Sequence, residues 1–324
     1  MKLERFIVTF VMMNIVLMIA IVFSVKDFTV MEALSEIIYG QKTAPAHYAL
    51  SPSKLKEEGF KSDNKEVFQN GMSEIYATTI ISAEKIAKLN NLPPYEKGVE
   101  IVRMFSLMGD GECLSEPNIA DKINQTAKKN GCSVDFAQIF TILATASGLD
   151  ARIVSNGIHY GAEIYNGNKW IYIDPYFAMS ASGKEGRMSY IEFSNAILNN
   201  GWIRFDYFGG ENHCMNGKPI AEHPYFSDQE LFASIYSLNG NNIFEVNKIE
   251  SKYSSKPAFM KYLYPYLDGK PKLFITELQP NYRGIVRKYV AGLMAVILVV
   301  FIGTNIVLPA YYLTSLTRRR KSQK

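Results

Sequence analysis

The sequence contains few cysteines and histidines. Its 324 residues include three cysteines and four histidines, and the histidines (His47, His159, His213, His223) are scattered. No C-x-x-C or H-E-x-x-H pattern occurs, so the sequence predicts neither a metal site nor a cofactor. Repeats and low-complexity runs are also lacking, and 48% hydrophobic with 20% charged residues is typical of a packed domain.

Two long stretches lack charge altogether. Residues 6–25 (FIVTFVMMNIVLMIAIVFSV) and residues 289–317, most apolar over 290–307, are each long enough to cross a bilayer of about 30 Å as a helix. The first could be a cleaved signal peptide, but its apolar region is too long and no small-x-small site follows. We therefore predict membrane helices over 6–25 and 289–313, because a buried core helix is seldom so apolar.

The flanking basic residues predict the orientation. The tail 314–324 ends in RRRKSQK and should stay in the cytoplasm, which places the N-terminus 1–5 on the same side. Residues 26–288 then lie outside the cytoplasm, although Arg283, Arg287 and Lys288 favour the opposite orientation. We expect a two-pass protein of the plasma (inner) membrane with a periplasmic or extracellular domain.

The outer segment 26–288 carries 28 basic and 30 acidic residues, a net charge of about −2. It has no basic patch, so nucleic acid is not an expected partner. Outside the cytoplasm two of the three cysteines could form a disulfide. Cys113 and Cys132 are the nearest pair, with Cys214 left over, but the sequence leaves the pairing open.

A helix followed by antiparallel strands is predicted in the middle of the chain. Residues 53–105 indicate helices broken at Pro93–Pro94, and 119–130 a polar helix. Ser133 should cap a helix over 133–147 that stops at Gly148. Three strands follow (150–156, 159–166, 169–175), the last two joined at Asn166–Gly167–Asn168. Residues 180–288, with a helix near 190–199, should complete the domain or form a small extension that leads back to the membrane.

These elements carry four motifs in order: Gly131 with Asp135-Phe136-Ala137, Gly148-Leu149-Asp150-Ala151-Arg152, His159 with Glu163-Ile164, and Trp170 with Asp174-Pro175. Together they resemble the transglutaminase-like superfamily, with patterns G-x-C-x-D-[YF]-A, G-[LI]-x-A-R, H-x-x-x-E-[VI] and W-x-x-x-D-P. The resemblance covers residues 131–175, about one seventh of the chain. It implies an α+β fold with a papain-like core, helices on an antiparallel sheet, and acyl-transfer chemistry.

The register of the first motif places Ser133, not Cys132, where the family has its cysteine nucleophile. By the resemblance, Ser133 is the nucleophile, His159 the general base and acid, and Asp174 the group that orients the imidazole. A predicted hairpin can bring His159 and Asp174 together, and a helix N-terminus favours an oxyanion beside residue 133. Ser-His-Asp sets support acyl transfer on other folds.

Three interpretations stay open. Ser133 is the nucleophile of a hydrolase or acyltransferase, Cys132 replaces it after a local shift, or the domain is an inactive binding or scaffold protein. A hydrolase so placed would act on amide or ester bonds of cell-envelope peptide or polysaccharide, and a scaffold would join an envelope or polysaccharide-export assembly. Asp135, Arg152 and Trp170 are expected to be structural, and Glu163 to be exposed.

Overall fold

The computed structural model describes residues 3–26, 37, 40–57, 83–104, 109–114, 119–208, 214–215, 218–219, 224–239, 273–307 and 309–314. By its contacts the chain divides into two compact units. One unit comprises Met1–Ile38 with Tyr282–Lys324, and the other is Tyr39–Asn281. His213 and His223 lie outside the described residues.

The terminal unit contains long apolar helices. Helix α1 covers Leu3–Lys26, and α10 covers Tyr282–Ile302 and continues into a π-helical turn, Gly303–Val307. Among the described residues, one helical stretch, Gly284–Thr314, is long and apolar enough to cross a membrane.

The larger unit is α+β. Its helices, in chain order, are α2 (Pro45–Tyr48), α3 (Pro52–Glu57), α4 (Ala83–Leu89), α5 (Pro94–Arg103), α6 (Ile119–Thr126), α7 (Ser133–Ala146), α8 (Tyr190–Leu198) and α9 (Pro224–Ser227). Its strands are β1 (Gly40–Thr43), β2 (Ala151–Ser155), β3 (Tyr160–Tyr165), β4 (Trp170–Asp174), β5 (Met179–Gly183), β6 (Gly186–Arg187), β7 (Arg204–Tyr207), β8 (Cys214–Met215), β9 (Lys218–Pro219), β10 (Ser234–Asn239) and β11 (Leu273–Glu277).

Nine strands form one sheet in the order β1-β11-β10-β2-β3-β4-β5-β6, with β7 also paired to β5. All described pairs in it are antiparallel except β1 with β11, which run parallel. The expected purely antiparallel sheet is therefore corrected to a mixed one. The cause is a strand far upstream, Gly40–Thr43, which joins the edge beside Leu273–Glu277.

Helix α7 is the central helix of the core. Ten consecutive residues, Asp135–Ala144, are buried, because α5 and α6 pack on one side of α7 and strands β2 and β3 on the other. The side chains of Phe136 and Phe140 are fully enclosed. The predicted ends of α7 are confirmed in part. Gly148, at φ +81°, follows the C-terminus as expected, but the N-cap is Cys132 rather than Ser133.

Asp135 explains that shift of one residue. Its Oδ2 accepts hydrogen bonds from the backbone N–H of Cys132 at 3.0 Å and of Leu114 at 2.9 Å. A carboxylate three residues into the helix that reaches back to the N-cap N–H is half of a capping box. Asp135 is therefore a structural residue, as the sequence predicted.

Across β2 and β3 lies a buried ion pair, which corrects the expectation that Glu163 is exposed. Arg152 is 2% exposed and Glu163 is fully buried, and Nε of the arginine donates to Oε2 of the glutamate at 2.7 Å. The hydroxyl of Tyr48 donates to the same oxygen at 2.7 Å, and the N–H of Tyr190 donates to Oε1. The guanidinium lies between the rings of Tyr48 and Trp170, with 3.9 and 4.0 Å to their centroids.

We expect the substitution Arg152→Met to lower the free energy of unfolding by about 3–5 kcal/mol, because Glu163 would keep a buried charge without its cation. The double variant Arg152→Met/Glu163→Gln should recover most of that loss, since it removes both charges and keeps a side-chain oxygen for the Tyr190 N–H. Denaturant unfolding of the full chain in detergent, followed by near-ultraviolet circular dichroism, measures both. Equal losses in the single and double variants would contradict the account.

Candidate functional site

The clearest constellation is a histidine–carboxylate pair where β3 begins and β4 ends. His159 directly precedes β3, and Asp174 is the last residue of β4. Their side chains meet, with 2.7 Å between Nε2 and Oδ2. The pairing expected across the hairpin is therefore present.

Asp174 is fully buried and accepts from four groups. Oδ1 accepts the backbone N–H of Tyr176 at 3.1 Å and of Phe177 at 3.0 Å. Oδ2 accepts the hydroxyl of Tyr172 at 2.8 Å as well as the imidazole. A carboxylate surrounded by donors acts as an acceptor only. In that arrangement Nε2 of His159 is the donor to Asp174, and in the neutral ring Nδ1 carries the lone pair that can act as a base.

The imidazole is held by the turn before β3 and by aromatic rings. The side-chain oxygen of Asn156 accepts the backbone N–H of His159 at 3.0 Å, and Asn156 Nδ2 donates to the Tyr225 hydroxyl at 3.1 Å. The His159 ring stacks on Phe177 at 4.8 Å between centroids, and Tyr225 lies 4.8 Å away at a tilt. His159 is 7% exposed, so its ring has little freedom to turn.

Ser133 lies beside this pair as the first residue of α7. It is half-buried, and its Oγ accepts the backbone N–H of Tyr160, the residue after His159, at 3.3 Å. In the described part of the chain, the Ser133 hydroxyl makes this hydrogen bond, and no hydrogen bond joins it to the imidazole of His159. The fold thus brings all three predicted residues to one place without forming the Ser133–His159 bond.

The interpretation of Cys132 as an alternative nucleophile is corrected by the structure. Cys132 is bonded to Cys113, and a sulfur in a disulfide has no thiolate with which to attack. The bond ties residues 109–114 to the start of α7, where Asp110 Oδ1 also accepts the N–H of Gly131 at 2.9 Å. Gly131 has φ +112°, a conformation that favours glycine and sets up this close approach.

The side chains of Cys113, Cys132 and Asp135 form a cluster of the residue types that bind metals, with the sulfurs and a carboxylate oxygen within 4.8 Å of one another. The two sulfurs are bonded to each other, however, and Asp135 accepts two backbone N–H groups. This cluster is therefore engaged in holding the loop to the helix.

Sequence reasoning missed three residues of the site: Tyr172, Asn156 and Tyr225. Tyr172 could have been found, because it precedes Asp174 by two residues on a strand and so shares its face. An asparagine followed by glycine in the turn before His159 is a weaker signal. Tyr225 comes 51 residues after Asp174, and no pattern connects the two.

Comparison of the chain with protein-family models, with curated proteins and with solved structures gave no match. The likeness to the transglutaminase-like superfamily therefore rests on the four sequence motifs.

Four buried tyrosines of the domain should lose their protons only at unusually high pH. Burial first, and then nearby carboxylates or hydroxyls, raise the pKa of Tyr48, Tyr172, Tyr190 and Tyr225. A folded-state pKa above the unfolded value of about 10 contributes stability below pH 10, which is lost as pH rises through the folded pKa.

We therefore expect the free energy of unfolding to fall steeply above about pH 10, where only the unfolded chain releases these protons. In the folded protein, tyrosinate absorbance near 295 nm should rise without these four groups, and then jump when near-ultraviolet dichroism is lost. The variant Tyr172→Phe should show a smaller jump. Full ionisation with the dichroism intact would contradict the prediction.

The Cys113–Cys132 bond closes a loop with a sequence separation of 19 residues. Replacing both cysteines by serine should lower the free energy of unfolding by about 3 kcal/mol, mainly because the unfolded chain gains freedom. Denaturant unfolding with and without dithiothreitol measures this. Reductant should destabilise the native chain and leave the double variant unchanged, and equal sensitivity in the two would disprove the assignment.

Proposed function

We propose that the chain is a membrane-anchored, extracytoplasmic acyl-transfer enzyme or hydrolase of transglutaminase-like type. Ser133 is its nucleophile, His159 its general base and acid, and Asp174 the residue that orients the imidazole. The supporting observation is the 2.7 Å contact between His159 Nε2 and a fully buried, donor-surrounded Asp174, beside a serine at a helix N-terminus. A base held by a third group next to a hydroxyl is the arrangement that nucleophilic catalysis requires.

In the reaction, Ser133 Oγ leaves its bond with Tyr160 N–H and attacks the carbonyl carbon of an amide or ester. His159 Nδ1 takes the hydroxyl proton and then gives it to the leaving amine or alcohol, which leaves an acyl-serine. Water or an acceptor group then attacks the acyl-serine by the reverse path, with His159 again as base. Neither route needs an outside oxidant or reductant.

The start of α7 offers donors for the negative charge of the tetrahedral intermediate. Within the part of the chain that the structure describes, no acceptor is assigned to the backbone N–H groups of Ser133 and Val134. They also stand at the positive end of a 14-residue helix. Both features suit an oxyanion formed at the carbon bonded to Ser133.

The location suggests the substrate. The apolar stretch Gly284–Thr314 and the basic tail after it fit a membrane anchor with a cytoplasmic end. With α1 as a second span, residues 26–288 face the periplasm or exterior. Peptide, polysaccharide and their acyl groups in the cell envelope are the amides and esters available there.

A fluorophosphonate probe tests the proposal on the full chain in detergent, with the adduct located by mass spectrometry. Ser133 should be labelled, and the labelling rate should fall at least ~100-fold in His159→Ala, since general-base assistance is worth that much. Ser53→Ala, which removes an exposed serine of α3, should label like the native chain. Iodoacetamide should leave Cys132 unmodified unless a reductant is added.

A non-enzymatic binding or scaffold protein of an envelope assembly is the second candidate. Two observations favour it: the imidazole is 7% exposed among aromatic rings, and no hydrogen bond joins it to Ser133 in the described chain. In that case the folded protein would give no fluorophosphonate adduct at Ser133. The Asp174→Asn variant would then change stability without changing any labelling.

A further inference from the structure

Both apolar helical stretches of the terminal unit carry an asparagine. Asn14 lies in the middle of α1, and Asn305 lies in the π-helical turn after α10, and both are half-buried. A primary amide exposed to hydrocarbon loses its water partners at a high free-energy cost unless protein groups replace them. The partners of these two amides therefore indicate what each helix packs against.

The two amides bond to each other. Asn305 Nδ2 donates to Asn14 Oδ1 at 3.2 Å, and it also reaches Thr304 Oγ1 at 3.0 Å and the carbonyl of Phe301 at 3.1 Å. Asn14 Nδ2 donates to the carbonyl of Phe10 at 2.9 Å. Each side chain thus has a local backbone bond and shares one bond across the helices.

A second contact fixes the relative direction. The rings of Phe6 and Tyr312 stack with 4.6 Å between centroids and 13° between planes. From Asn14 to Phe6 the chain goes back eight residues, and from Asn305 to Tyr312 it goes forward seven. At about 1.5 Å per helical residue these are rises of roughly 12 and 10 Å, so the contacts fit one antiparallel register.

The π-helical turn helps to present the polar groups. Its wider turn interrupts the regular α-helical spacing over Gly303–Val307, and it contains both Thr304 and Asn305. Thr304 is 1% exposed, and its hydroxyl donates to the carbonyl of Val300 at 2.8 Å. Such single turns often occur where a helix meets a functional contact.

We propose that the Asn14 surface of α1 binds the chain's own C-terminal span, as an antiparallel helix pair in the membrane that is joined by the hydrogen bond between the Asn14 and Asn305 side chains. The partner of this surface is the same chain and not a second copy. The inference rests on the proposed two-pass topology and is independent of any acyl-transfer activity. In this topology the helix pair holds both chain ends on one side of the membrane.

Disulfide cross-linking of the full chain in native membranes tests the proposed helix pair. In a Cys214→Ser background, Asn14→Cys/Asn305→Cys should form a cross-link in most molecules after copper–phenanthroline treatment. It should appear as a faster monomer band without reductant and as a linked peptide pair in mass spectrometry. Phe6→Cys/Tyr312→Cys should behave in the same way.

Two pairs serve as controls. Val16→Cys/Asn305→Cys places one cysteine two residues on, about 200° around α1, and should link at least tenfold less. Asn14→Cys/Tyr289→Cys should not link, because residue 289 lies sixteen residues from 305, about 24 Å along a helix. A dimer band from Asn14→Cys alone, or equal linking in all pairs, would overturn the proposal whatever the fluorophosphonate result.

Discussion

The arrangement of the candidate site depends on the buried carboxylate of Asp174. Four donors reach it: two backbone N–H groups of the turn after β4, a tyrosine hydroxyl from the same strand, and the imidazole from the start of β3. A buried charge is tolerated only where such donors surround it, so the turn, the strand and the histidine are fixed together. The ring of His159 is then set in its plane, whatever reaction or ligand it serves.

The sheet carries a second buried carboxylate, that of Glu163 on β3, which lies opposite Tyr172 of β4. Glu163 binds Arg152 across the strands and is also bonded to Tyr48 from α2 and to the N-terminus of α8. Its cation is held between two rings, which limits the guanidinium to one geometry. Gly161 of β3 leaves room for the ring of Tyr172, since a Cβ on residue 161 would lie 2.6 Å from that ring.

Local patterns predicted what local physics determines. The end of α7 at Gly148, the three strands and the His159–Asp174 contact follow from a C-terminal glycine, alternation and one hairpin, whereas the N-cap of α7 is one residue earlier than predicted. The parallel strand β1 was missed because its partner lies more than 200 residues away. The full burial of Glu163 was missed because it depends on Tyr48, which comes from helix α2. The catalytic role assigned to Ser133 remains a prediction.

The disulfide beside Ser133 bears on why the nucleophile would be a serine. Asp135 fixes the N–H of Cys132, and Cys113 fixes its sulfur, so this residue is held from both ends as the cap of α7. The next residue is then the first whose side chain is unconstrained by the cap and can face the imidazole. In an oxidising compartment a second cysteine there would compete for Cys113, whereas a hydroxyl cannot exchange with a disulfide. Serine at position 133 thus keeps the cap and the candidate nucleophile chemically separate, at the cost of a weaker nucleophile that depends wholly on His159.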